Sequence, residues 1–241
     1  MNNKNWNLNN IIWVLGEAVA FISIVLFLIQ GEWLRAVLAA STMIFVWFPK
    51  LAELLFKKKL SLWTYLLCTA YALGPMLGHA YYLYYLSPWY DDVLHLTGGV
   101  VFSLLGIEFS RSLCRGKDSE VSIWLMAIFG FCFSVTLSVF WEFAEYFADI
   151  LFQVDMQSDT IIHSISSFNL SPEPGIRGEI LDISEVIING KPMGVGGYID
   201  IGLIDTMDDL LRETAASAVV AVIFAVSKDR LHVFRRSQQK Q

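Results

Sequence analysis

The chain has 241 residues, of which 55% are hydrophobic and only 17% are charged, and its mean hydropathy is +0.52. A soluble domain usually carries about 25% charged residues, so this balance excludes an ordinary water-soluble globule and points to the bilayer as partner. The net charge of −6 is no sign of an acidic soluble protein, because the acids gather at a few positions.

A membrane-crossing helix needs about 20 mainly apolar residues, and six stretches supply them: 10–30, 34–55, 60–86, 92–113, 121–152 and 205–226. Before the first lies "MNNKNWNLNN", without a strongly basic region. Ala18-Val19-Ala20 resembles a signal-peptidase site but falls inside the apolar run, so an uncleaved first span is expected. The third stretch carries Gly74-Pro75 and Gly78, which predicts a kink where proline removes a backbone donor. The fifth is long enough to project beyond the bilayer. Cys68, Cys114 and Cys132 are an odd set, two of them inside apolar runs, and give no disulfide framework.

Residues 153–204 form the one sizeable piece outside the spans. Within them Ile187-Ile188-Asn189-Gly190-Lys191-Pro192 carries an Asn-Gly hairpin signal, and "GVGGYIDIG" leads into the last span with a backbone free to bend. His163 and Asp159 are expected to be solvated. Basic residues orient the spans. Lys4, Lys50, Lys57, Lys58, Lys59, Arg111, Arg115, Lys117, Lys228, Arg230, Arg235, Arg236 and Lys240 fall on one side, against Arg35, Arg177 and Lys191 on the other. The positive-inside rule then puts both termini in the cytoplasm and the long loop outside. An even span count requires the same. The tail "KDRLHVFRRSQQKQ" reads as an anchor near anionic headgroups rather than a nucleic-acid site. The expected fold is an all-α polytopic membrane protein: one six-helix membrane domain over residues 1–241, with residues 153–204 as an extracytoplasmic loop that holds a small β-hairpin.

Acids recur at helical spacing at the extracytoplasmic ends of three spans. The fourth opens with Asp91, Asp92 and His95. The fifth ends in "WEFAEYFAD", where Glu142, Glu145 and Asp149 form a stripe. The sixth opens with "DTMDDLLRE", bringing Asp205, Asp208 or Asp209 and Arg212 into register. Asp91, Asp92, Asp205 and Asp208 also fit simple end caps, since acids at helix N-termini complement the macrodipole. Glu142 and Glu145 do not, because they lie at a helix C-terminus, and Glu142 sits about 15 Å below Phe152 at 1.5 Å per residue. A carboxylate at that depth costs about 2.5–3.5 kcal/mol unless it faces the bundle interior and finds a partner. His95, Arg212 or a bound cation is the available partner, which ties the three stripes into one polar hollow. Glu17 in the first span and His79 beside the kink are further candidates for it, although a lone buried histidine is more often a hydrogen-bonded core residue.

"YDDVLHLTGG", "WEFAEYFAD" and "DTMDDLL", in this order and each at a span end, resemble the YjdF-like family of bacterial inner-membrane proteins, and more distantly the VanZ-like proteins. The resemblance covers roughly residues 89–218, apart from most of the long loop. It implies Asp91, His95, Glu142, Glu145, Asp205 and Asp209 as the shared set, with Asp92 and Asp208 as additions of this chain, and it implies a bacterial cytoplasmic membrane location. The family pattern has a Gly-Ala pair after the last motif, where this chain reads "ETAASA".

Carboxylates with one histidine offer oxygen and imidazole ligands to a divalent metal ion such as Mg²⁺, Mn²⁺ or Zn²⁺. Without a metal, crowded carboxylates supply an acid–base pair. Asp91, His95, Glu142, Glu145, Asp205 and Asp209 are therefore both the candidate catalytic residues and the candidate metal ligands of an enzyme acting on a lipid or lipid-linked envelope substrate. A proton- or cation-coupled transporter and a non-catalytic membrane scaffold stay open beside it.

Overall fold

The computed structural model describes residues 8–114 and 122–238. Of the basic residues that set the charge asymmetry, Lys4, Arg115, Lys117 and Lys240 lie outside the described residues. The side chains of Lys228, Arg230, Arg235 and Arg236 lie outside the described side chains.

The helices are α1 (Leu8–Gln30), α2 (Trp33–Val46), α3 (Phe48–Phe56), α4 (Leu62–Pro75), α5 (Leu83–Leu86), α6 (Tyr90–Leu113), α7 (Ile123–Phe152) and α8 (Leu203–Gln238). Five stretches are long and apolar enough to cross a membrane: Leu8–Gln30, Trp33–Phe56, Tyr90–Leu113, Ile123–Phe152 and Leu203–Ser227. They coincide with five of the six expected spans, the second being α2 and α3 in line. The third expected span is not a single helix. Pro75 has no N–H to give, and the ladder slips into a π-helical turn over Met76–Ala80. The chain then passes through Tyr82 at φ 64° before the single turn of α5. Arg35 serves the end of this irregular stretch. Its Nε donates to the Ala80 carbonyl at 2.6 Å, and its guanidinium lies over the Phe27 and Tyr82 rings.

The chain divides into two compact units, Met1–Ser138 with Leu210–Gln241, and Val139–Asp209. In the first, α4 and α6 run antiparallel along their lengths. At one end Lys58, just before α4, meets Glu108 of α6 at 2.6 Å; at the other, the Tyr90 hydroxyl donates to the Gly74 carbonyl at 2.9 Å. Tyr65 and Cys68 of α4 pack against Val101 and Leu105 of α6 in a core that also takes in Ala52, Phe56 and Leu60. A buried carboxylate pins this core to α1. Glu53 accepts from Asn9 Nδ2 at 2.9 Å, from the Leu60 amide at 3.1 Å and from Lys59 Nζ at 2.8 Å, so its charge is met on both oxygens.

In the same unit small residues bring α6 against the first part of α7 and α7 against α8, and Gly99 of α6 against Glu213 and Ala216 of α8. Ser134 Oγ donates to the Gly99 carbonyl at 3.3 Å, and Ser217 Oγ to the Phe131 carbonyl at 3.5 Å. A Cβ at Gly99 would collide with the Glu213 carbonyl oxygen, and one at Gly130 would stand 2.8 Å from the Ser103 carbonyl oxygen. Contact this close requires glycine. Ala127, Ala221 and Ala225 continue the α7–α8 contact as an apolar cluster.

The second unit holds the end of α7, the long loop and the start of α8. The loop contains β1 (Ile161–Ile162), β2 (Ile165–Ser167), β3 (Gly178–Ile180), β4 (Ile187–Ile188), β5 (Lys191–Pro192) and β6 (Tyr198–Ile199). They form three antiparallel pairs, β1 with β6, β2 with β3 and β4 with β5. β4–β5 is the hairpin that the Asn-Gly signal predicts, with Asn189 at φ 52° and Gly190 at φ 80°. Carboxylates fasten the loop ends. Asp149 accepts the amides of Met156 and Gln157 at 2.6 and 2.9 Å, and Asp200 those of Thr160 and Ile204 at 2.8 and 2.7 Å. His163 is exposed, and its Nδ1 lies 3.0 Å from the Ile183 carbonyl.

Candidate functional site

α6 begins at Tyr90, so Asp91 and Asp92 fall in its first turn, where the N-terminal dipole favours anions. One turn further His95 points inward and is only 5% exposed. Its Nε2 lies 3.6 Å from Asp91 Oδ1, and its Nδ1 lies 3.8 Å from Glu213 Oε2 on α8. Carboxylates therefore face both ring nitrogens, one from the same helix and one from another. Each separation is longer than a direct hydrogen bond and suits a bridging group.

Glu213 is 1% exposed, and its Oε1 makes no hydrogen bond among the described residues. A buried carboxylate with an unmatched oxygen costs far more than it returns unless a cation or imidazolium stands nearby. Two further buried oxygens of the first unit, Ser103 Oγ of α6 and Ser138 Oγ of α7, likewise make no hydrogen bond among the described residues. Beside this inner group, Arg212 Nε approaches Asp92 Oδ1 at 3.3 Å, with about a third of each side chain exposed (31% and 37%). The first unit thus brings together Asp91, Asp92, His95 and Arg212, all named from the sequence, and adds Glu213.

Glu142, Glu145, Asp205 and Asp209 belong to the second unit. Glu142 and Glu145 are buried on α7, and the Trp141 indole donates to Glu145 Oε1 at 2.8 Å. Glu142 extends the inward stripe Ser134–Ser138 by one more turn of the same helix. Asp209 is buried on α8 one turn before Glu213. Asp205 is half-buried and turned to the loop, where its Oδ2 accepts the Ser158 amide at 2.9 Å; Asp149 is likewise committed to loop amides.

Glu213 is the residue that the motif spacing passes over. Read as a pattern ending at Arg212, "DTMDDLLRE" hides a cleaner series: Asp209, Glu213 and Ser217 recur every four residues, and all three are buried. The glycine absent from "ETAASA" is supplied from the other side, since Gly99 of α6 faces Glu213 and Ala216.

A family model described as "Predicted membrane protein (DUF2238)" matches residues 11–230, in agreement with the YjdF-like resemblance. No curated protein and no solved structure matches the chain.

Proposed function

The chain belongs to this family of predicted membrane proteins, and we propose that it is a metal-dependent enzyme of the bacterial cytoplasmic membrane, acting on a lipid or lipid-linked envelope substrate. The pose of His95 carries this reading. A metal-bound histidine commonly directs its second nitrogen to a carboxylate, which fixes the tautomer and raises ligand basicity. Glu213 Oε2 faces Nδ1 at 3.8 Å, beyond a direct hydrogen bond, and would take that role through a bridging water. At Nε2, Asp91 Oδ1 is 3.6 Å away, close to the spacing of about 3.4 Å between two ligands that each stand about 2.1 Å from one ion at the tetrahedral angle.

Asp209, buried on α8 one turn before Glu213, is kept as a proposed ligand beside Asp91 and His95. Glu142 and Glu145, buried on α7, and Asp205, which accepts the Ser158 amide, are the remaining members of the proposed set. A divalent ion held by these residues would supply a Lewis acid for a phosphoryl or carbonyl oxygen and would make water a stronger acid. Asp91, Asp209 and Glu213 orient it and offset its charge.

A proton- or cation-coupled carrier is the alternative. Against it, the polar faces of α7 and α8 give way to Ala127, Ala221 and Ala225 away from His95, whereas a carrier needs polar groups reaching the other side. The proposed topology has both termini in the cytoplasm, six crossings in one membrane domain and residues 153–204 outside.

Metal analysis of the protein purified in lipid nanodiscs tests the reading. The expected result is close to one divalent ion per chain, lost in Asp91→Asn and His95→Ala. Wild-type protein that takes up no divalent ion, or equal uptake by both variants, overturns it.

A further inference from the structure

In the first unit α1 and α4 run parallel and touch at three levels. At the start of both helices Asn9 Nδ2 donates to the Leu60 carbonyl at 3.1 Å. At mid-height Gly16 makes room for the Thr69 methyl, which would stand 2.9 Å from a Cβ there. Beyond the end of α4 the Ser23 and Tyr81 hydroxyls lie 2.9 Å apart. Between the first and last of these contacts the helices leave a furrow of about 230 Å³, with Ile12, Gly16 and Val19 on one side and Leu66, Ala70 and Leu73 on the other. From Ile12 to Val19 it runs about 10 Å at 1.5 Å per residue.

The furrow offers nothing to a polar ligand. Thr69 carries the hydroxyl on its lining, and that hydroxyl donates to the Tyr65 carbonyl of its own helix at 3.0 Å. Val19, Leu66 and Ala70 are exposed, so the furrow opens on the lipid side of α1. A recess left empty forfeits dispersion contacts along its walls, and a lipid chain restores them. That chain leaves one hydrocarbon for another and gains no hydrophobic energy. Which lipid it belongs to is decided at the headgroup.

The Asn9 end supplies the charge. Lys57, Lys58 and Lys59, all exposed, directly precede Leu60. Glu53 ties Lys59 to the furrow: its Oε2 accepts from Lys59 Nζ at 2.8 Å, and its Oε1 from Asn9 Nδ2 at 2.9 Å, on the turn before Ile12. An ammonium has three protons to give, and the Lys59 side chain is 61% exposed, so it can serve Glu53 and a phosphate together. Lys58, Lys59 and Arg111 share two carboxylates, Glu53 and Glu108, which leaves this end cationic. On the proposed topology it lies in the cytoplasmic leaflet, where anionic lipids gather and basic pockets between helices hold their headgroups.

We propose that the furrow between α1 and α4 seats one acyl chain of an anionic phospholipid, with the lipid phosphate at Lys59. The site stands on α1, α3 and α4 and is independent of the metal reading.

The test uses the full chain in nanodiscs of equal dioleoyl phosphatidylglycerol and dioleoyl phosphatidylcholine, with retained lipid counted by native mass spectrometry. Wild type is expected to keep one phosphatidylglycerol per chain, preferred about fivefold over phosphatidylcholine, the effect of one lysine near a lipid phosphate. Lys59→Gln abolishes the preference and Lys59→Arg keeps it. Ala70→Phe, at an exposed position, fills the furrow and lowers phosphatidylglycerol retention about threefold or more. Leu26→Phe, exposed on α1 outside the furrow, leaves it unchanged. Roughly 1 M ammonium acetate, where the screening length is about 3 Å, abolishes the preference in wild type and stands in for Lys59→Gln if that variant is unstable. Equal retention of the two lipids by wild type means annular lipid only and overturns the proposal. So does a preference that survives both Lys59→Gln and high salt, or a wild-type level of phosphatidylglycerol in Ala70→Phe, which would mean a headgroup contact without a seated chain.

Discussion

At the scale of single residues, Glu213 and Gly99 make opposite demands on one contact. Glu213 needs a cation, and Gly99 must leave its carbonyl room. Glu213→Gln keeps the shape of the side chain but removes the charge that supports His95. Its expected effect is a loss of about 10–100-fold in divalent-ion affinity, read by competition with a chelator, with little change in the unfolding temperature. Unchanged affinity would show that Glu213 does not buttress His95. Gly99→Ala acts through packing. The added methyl meets the Glu213 carbonyl and lies 2.9 Å from Ala216 Cβ, so a cost of about 1–3 kcal/mol is expected, seen as a lower thermal midpoint. Ala216→Gly in the same chain does not restore it, because the backbone carbonyl remains; full rescue would place the clash at Ala216 instead. Asp91 and His95 were readable from their spacing on one helix. Glu213 was not, because its importance lies in what stands opposite it, and a four-residue rhythm on α8 does not name the neighbour.

At the scale of elements, local chemistry was legible and long-range closure was not. Asn189-Gly190 specifies the β4–β5 hairpin because both central residues must adopt positive φ. The proline kink was equally visible, but the π-helical turn at Met76–Ala80 was not, since proline removes a donor without dictating how the ladder resumes. β1 and β6 are two residues each and lie far apart in the chain; no pattern so short announces a partner. Asp200 is the residue that holds this closure. Partial burial pushes its carboxyl up, but the amides of Ile204, Thr160 and Gly202, with its own, pull harder, and it titrates below the usual carboxylate range. A depressed folded pKa means that its contribution is fully present above the unfolded value of about 3.9 and is lost as pH falls through the folded value. Asp200→Ala should therefore speed hydrogen exchange at the Thr160 and Ile204 amides at neutral pH, by a local cost of about 1–2 kcal/mol. Its difference from wild type should vanish in strong acid. A difference that persists there would mean the anchor is not the charged carboxylate.

At the scale of the molecule, the number of crossings turns on α4. Five stretches qualify by length and apolarity, and an odd count would put the termini on opposite sides of the membrane, against the asymmetry of Lys and Arg. The packing of α4 on α6 argues for a sixth crossing. Lys58 meets Glu108 at one end and Gly74 meets Tyr90 at the other, so Leu62–Pro75 runs beside a spanning helix for most of its length. The π-helical turn completes the distance: Leu62–Ala80 rises about 27 Å at 1.5 Å per residue, near the 30 Å of the hydrocarbon core. On the proposed six-crossing topology Lys57 and Pro88, both exposed, fall on opposite faces of the membrane. In a chain stripped of Cys68, Cys114 and Cys132, Pro88→Cys is expected to react with an impermeant maleimide added outside the cell. Lys57→Cys should react only after the membrane is opened, and a C-terminal fluorescent fusion should mature inside. Labelling of both cysteines from one side would return α4 to a re-entrant segment and reverse the placement of one terminus.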